Sequence, residues 1–159
     1  MAAPAQGGPT TKELVFALQF KGKARPVAGA EGKLAAKTTA SGQVSRTALT
    51  AKGVVAKVES RPGPRATFES EVQVTGAGTF VEAGRISYSK AGRLTFETVG
   101  QGTLGPSGID GLQRGAVIWE VTEGTGQFAG ATGLITSNFT VGPKGEVVDN
   151  HSVRLFLPA

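Results

Sequence analysis

Glycine and proline punctuate this chain every few residues, and the intervals between them are short runs rich in valine, threonine and other β-prone side chains. There are 24 glycines and 8 prolines, a density that long helices do not tolerate. Proline removes a backbone donor and glycine carries the largest conformational-entropy cost. Frequent turns between extended runs therefore predict strands. "LVFALQF" places Leu14, Phe16, Leu18 and Phe20 on one face and Val15, Ala17 and Gln19 on the other. "RATFESEVQVT" sets Phe68, Ser70, Val72 and Val74 against Thr67, Glu69, Glu71 and Gln73. "RISYS", "RLTFETVG", "AVIWEVT", "GLITSNFTV" and "EVVDNHSVRLFL" follow, with turns at Lys90-Ala91-Gly92 and at "GPKG" (Gly142–Gly145) and a longer loop at "GPSGIDG". Strands spaced by about 8–12 residues predict an all-β fold, a single closed antiparallel barrel of about eight strands. It would span residues 12–159, behind a flexible tail at residues 1–11. Residues 26–60 are harder to read: "KLAAKTTASGQVSRTALT" fits a strand or a short helix, Lys52-Gly53 suggests a tight turn, and "RPGP" (Arg61–Pro64) another.

Composition narrows the function classes. No apolar run reaches the roughly 18 residues of a membrane span, and "MAAPAQGGPTTKE" has neither the basic nor the apolar region of a signal peptide. With no cysteine, disulfides, thiolate metal sites and a cysteine nucleophile are excluded, which suggests a cytoplasmic protein. The net charge of +5 is uneven: residues 1–65 hold 11 basic against three acidic side chains, and residues 66–159 six against nine. A basic half invites nucleic acid. However, its only aromatics are Phe16 and Phe20, which make no stacking platform, and its lysines are spaced singly. The expectation is no nucleic-acid and no membrane partner.

"EGTGQFAGATGLITSNF" (Glu123–Phe139) tests whether a phosphate-binding loop is present. A dinucleotide fingerprint needs G-x-G-x-x-G opening a helix. Here Gly124, Gly126 and Gly130 put the third glycine one residue late, and a β-branched alternating run follows. No G-K-[ST] is present either, so the glycines read as a hairpin corner, with Phe128 folded back as a plug over a barrel end. "GAGTFVEAG" (Gly76–Gly84) echoes the same G-x-G-x-F, with Phe80 in the place of Phe128.

This corner resembles the G-T-G-x-F-x-G-A-x-G corner of the allene oxide cyclase and dirigent group of small β-barrels, clearly over residues 113–141 and by strand rhythm over 66–157. The resemblance implies an eight-stranded antiparallel barrel, a dimer or trimer, a cavity for apolar molecules, and in some members cyclisation or steering of coupling without metal or cofactor. This chain departs from the group in having one tyrosine, no cysteine and no matching acidic pair, so no catalytic residue is carried over.

The residues themselves offer several candidates. His151, the lone histidine, shares a strand face with Val147, Asp149 and Val153. Asp149 could orient it as a general base, while one histidine cannot build a multi-histidine metal site. Glu120 shares a face with Ala116 and Ile118, opposite Val117, Trp119 and Val121. If its face lines the cavity, it is an acid or base of raised pKa; if the Trp119 face is interior, it is a surface charge. Asn138 would polarise a carbonyl if inward. Trp119, Tyr88, Glu97 and Phe139 are candidate ligand contacts, and Glu69 with Glu71 form either a carboxylate pair or a wet sheet face. No serine-hydrolase spacing is readable.

The sequence thus predicts a cofactor-free, metal-free barrel that binds a small hydrophobic oxygenated molecule. Glu120, Asn138 and His151 are the candidates for cyclisation or isomerisation; a lipocalin-like carrier without chemistry is the alternative. Outward Val, Ile and Phe would favour a homodimer or homotrimer, although a closed barrel hides its edges and can stand alone.

Overall fold

A computed structural model describes residues 11–159. The tail expected at the N-terminus lies outside the described residues up to position 10, and Thr11 already belongs to the first strand. Nine strands follow in order: β1 (Thr11–Pro26), β2 (Lys33–Thr50), β3 (Gly53–Gly76), β4 (Thr79–Ser87), β5 (Arg93–Thr98), β6 (Gly102–Pro106), β7 (Gln113–Gly124), β8 (Thr132–Val141) and β9 (Glu146–Pro158). Every pairing is antiparallel, and the ring β1-β2-β3-β4-β5-β7-β8-β9 returns to β1. The short β6 continues the position of β5, end to end, between β4 and β7. The fold is therefore the expected all-β barrel with eight positions in its wall. Among the described residues, no helix is long and apolar enough to cross a membrane.

The alternation of each strand becomes inside and outside. Phe68, Ile86, Leu94, Phe96, Trp119, Ile135, Val153 and Leu155 all point inward and are buried. Their aromatic members form one cluster, in which Trp119 lies 4.5 Å from Phe96 and 5.4 Å from Phe68 between ring centroids. Large rings buried against each other remove a large apolar area from water and favour tilted and edge-on contacts.

One end of the barrel is closed. The loop between β7 and β8 forms a 3-10 turn at Gly126–Phe128, and Phe128 is buried against Tyr88, 5.2 Å away. Gly126 makes this possible: its φ is +62°, and a Cβ there would come within 2.5 Å of the Ala91 carbonyl oxygen. The plug expected of Phe128 is what the structure shows.

The stretch that resisted sequence reading forms a protruding ribbon. No helix interrupts β2; Thr38 and Ala40 face inward, and past a register shift between Ala40 and Gly42 the strand leaves the barrel paired only with β3. "RPGP" is not a turn but part of β3, opposite this irregularity, where its prolines interrupt no barrel ladder. The hairpin reverses at Ala51-Lys52, closed by the Thr50–Gly53 pair, one residue before the turn expected at Lys52-Gly53. Helical propensity in β2 is overridden by pairing on the β3 side along its whole length.

Candidate functional site

The end opposite Phe128 opens into a cavity of about 190 Å³, ringed by the turns joining β1 to β2, β3 to β4 and β8 to β9. Its walls are apolar: Leu34, Val72, Leu104, Phe139 and Val147. Gly115 makes room for one of them, because a Cβ there would lie 2.4 Å from the tip of the Phe139 ring. Phe80, held at 6.0 Å from Phe139 in an edge-on contact, completes the mouth.

Deeper in, two hairpins on opposite walls of the ring each deliver a serine and a carboxylate. In the β3–β4 hairpin, Ser70 Oγ donates to Glu82 Oε1 at 2.5 Å. In the β8–β9 hairpin, Ser137 Oγ donates to Asp149 Oδ1 at 2.7 Å. In both cases the partners lie diagonally across neighbouring strands, since Val72 is the direct partner of Glu82 and Phe139 that of Asp149. All four side chains are buried. Asp149 Oδ2 also accepts from His151 Nε2 at 2.8 Å. The His151 ring is stacked on Phe20 at 4.3 Å and flanked edge-on by Phe68 and Trp119.

Burial pushes the Glu82 carboxyl up to about 7; the Ser70 hydrogen bond opposes the rise, the charge of Asp149 adds to it, and the Trp119 indole lowers it slightly. Trp119 Nε1 favours the charged carboxylate without making a hydrogen bond of ordinary geometry, and Thr38 Oγ1 and His151 Nδ1 are likewise buried without a partner. Thr38 lines the cavity beside Glu82, Ser137 and Asp149. The floor thus offers a carboxyl that is part protonated near neutrality, a second carboxylate held by two donors, and the unpartnered Thr38 hydroxyl, all under an apolar mouth. Such a set can donate a proton to one atom of a ligand and accept one from another.

The candidates drawn from the sequence fall into three places. His151 is inside, on the Asp149 carboxylate, and Trp119 is inside beside it, so the Trp119 face of β7 is the interior one. Phe139 is half-buried at the cavity mouth. Tyr88 is half-buried at the closed end against Phe16 and Phe128, away from the cavity; desolvation raises its phenol, and its enclosed hydroxyl has no partner. Glu120 and Glu97 are exposed on the outer wall as direct cross-strand partners, and Asn138 is outside opposite Ala116 and Asn150. None of these three faces the cavity. Glu69 and Glu71 are also outward, and Lys37 and Arg85 hold Glu69 in ion pairs that lower its carboxyl below the usual range. Among the described residues, no three His, Cys, Asp or Glu side chains gather so as to hold a metal ion.

Glu82 was missed. Its signal was the G-x-G-x-F echo: Phe80 plugs inward like Phe128, and strand alternation then carries Glu82, two residues on, to the same interior face.

No protein-family model matches this chain, and no curated protein matches it significantly. Among solved structures, it is similar to a pterocarpan synthase dirigent protein at 13% identity and a TM-score of 0.36, covering 100% of this chain and 98% of that one. A likeness of that depth transfers no residue role and no ligand.

Proposed function

We propose that the barrel takes up a small, mostly apolar, oxygenated molecule through its open end and exchanges protons with it at Glu82 and Asp149. The observation that carries this reading is Glu82, a buried carboxyl with a pKa of about 7 that lines the cavity with Asp149, Ser137 and Thr38 beneath an apolar mouth. Burying a carboxylic acid without need is costly, and a group poised near neutrality is suited to general acid–base work. In the proposed step Glu82 gives its proton to a ligand oxygen, and Asp149, held by Ser137 and His151, takes one from a neighbouring carbon. The outcome is an isomerisation or cyclisation with no net redox change, and the apolar walls fold the ligand for it. Lack of cysteine agrees with a reducing, cytoplasmic setting.

The test begins with a native mass spectrum of gently purified protein, in which a bound mass of a few hundred daltons should be lost on denaturation. That molecule and its oxygenated relatives are then offered to the wild type and to Glu82→Gln. Turnover lost with affinity kept supports the acid–base reading. Unchanged affinity with no turnover by either protein would reduce the barrel to a carrier.

A further inference from the structure

The ribbon formed by Gly42–Thr50 of β2 and Gly53–Arg61 of β3 serves no part of the cavity, yet its two faces differ sharply. Directly paired residues share a face, and successive pairs alternate between faces. The pairs Val44–Glu59, Arg46–Lys57 and Ala48–Val55, with Arg61 beyond them, lie on one face, which carries all of the charge between positions 42 and 50 and 53 and 61. On the other face are Ser45–Val58, Thr47–Ala56 and Leu49–Val54, with no charged side chain among them. Every residue from 45 to 58 is exposed, with Leu49 at 85% and Val54 at 68%. A two-stranded hairpin standing alone is marginal in water, and an apolar face on it asks for cover.

The outer wall of the same molecule holds a shallow groove of matching character. Two adjacent rows of side chains cross β1, β9, β8 and β7: Ala17, Ser152, Thr136 and Ile118 in one, and Gln19, Asn150, Asn138 and Ala116 in the other. Val99, Gln101 and Thr103 extend the groove, and no exposed residue lining it is charged. The rows on either side of it are charged, through Arg154 and Glu120 above and Lys21 and Arg114 below. Four steps between strands give the groove a length of roughly 19 Å, against roughly 16 Å for the five-residue apolar stretch of the ribbon.

We propose that the uncharged face of the ribbon docks in this uncharged groove of a second copy of the chain. Within one chain the ribbon does not lie on this groove, since Leu49 and Val54 stand exposed; its base is tied to β1 by the Gln43 side chain, which donates to the Gln19 carbonyl at 3.1 Å and accepts from the Gln19 amide. An uncharged centre with a charged rim is the anatomy of a protein–protein interface. Nucleic acid would engage the face carrying Arg46, Lys57 and Arg61 and leave Leu49 and Val54 in water, so it is the poorer occupant. Ribbon and groove are different surfaces, so the contact is heterologous and closes as a ring or as a reciprocal pair.

Sedimentation velocity across a wide protein concentration range tests this. The wild type should form a defined oligomer, while Leu49→Asp/Val54→Asp on the ribbon and Ile118→Glu in the groove should each sediment as monomers. All three sites are exposed, so the fold should survive. Mixing the two variants provides the check: the intact ribbon of one meets the intact groove of the other, and a heterodimer should return. A monomeric wild type, an oligomer indifferent to both variants, or two monomeric variants that do not recombine would overturn the proposal. So would a monomeric wild type that binds duplex DNA with steep salt dependence, which would assign the ribbon to phosphate instead.

Discussion

Asp149 and His151 stand two residues apart on β9, and their side chains meet at 2.8 Å inside the barrel, both buried. Strand alternation aims both inward, and Ser137 from the neighbouring strand holds the other carboxylate oxygen. The histidine does two separable things here: it donates to Asp149, and it fills space against Phe20.

Two substitutions separate these contributions. His151→Phe keeps an aromatic ring on Phe20 but withdraws the donor from a buried carboxylate, at an expected cost of about 1–3 kcal/mol. His151→Ala also opens a cavity in the aromatic cluster and should cost about 3–5 kcal/mol. Denaturant midpoints at unchanged slope measure both. Equal losses would mean that ring packing contributes nothing at this position.

The pH dependence of stability reports on Glu82. Its carboxyl is raised from an ordinary 4.5 to about 7 in the folded protein. Between these values the folded state binds more proton than the unfolded one, so stability falls as pH rises and levels off above about 7. The full loss is on the order of 3 kcal/mol. Glu69 and Glu146, whose carboxyls are lowered, contribute in the opposite sense but only below about pH 4.5. Glu82→Gln should therefore flatten the profile between about pH 4.5 and 7. A slope that persists in the variant would place the titrating group elsewhere.

How much of this was legible in the sequence depended on which side of each strand carried contrast. In β3, Phe68 and Val72 stand against Glu69 and Glu71, a contrast that favoured the Phe68 face as the inner one while leaving a carboxylate pair open. In β7, both faces are apolar: Val117, Trp119 and Val121 line the core, while Ile118 belongs to an uncharged outer groove, so Glu120 could be assigned to either side. β2 carries Leu34, Ala36, Thr38 and Ala40 inward, the first three lining the cavity, and with small or polar residues at three of these positions the pattern is weak. The ribbon beyond them has no interior at all, and alternation there marks a charged face and an uncharged one rather than a buried one. The interior carboxylates ran against the rule that charge lies outside; Asp149 was visible through His151, and Glu82 only through Phe80.

Trp119 is the chain's single tryptophan and lies close enough to Glu82 to influence its ionisation, so its fluorescence should follow that carboxyl. An emission transition is expected near pH 7 and should vanish in Glu82→Gln. Ser70→Ala removes the hydroxyl that favours the charged form, so the midpoint should move up, not down. A downward shift would mean that Ser70 stabilises the protonated acid.

The glycine under the cavity mouth gives the last prediction. At Gly115 an added Cβ would meet the Phe139 ring at 2.4 Å and the Thr103 carbonyl oxygen at 2.7 Å, one of them backbone and unable to swing aside. Phe139 would be displaced into the mouth it now borders, and the β6–β7 pairing would have to shift. Overpacking of this kind costs about 1–3 kcal/mol. Gly105, facing β7 from β6, offers the control: its nearest neighbour would be the Arg114 guanidinium, 3.9 Å from an added Cβ. Thermal unfolding should therefore show Gly115→Ala clearly destabilised and Gly105→Ala close to wild type. If the two behave alike, the open mouth does not depend on the space that Gly115 leaves for Phe139.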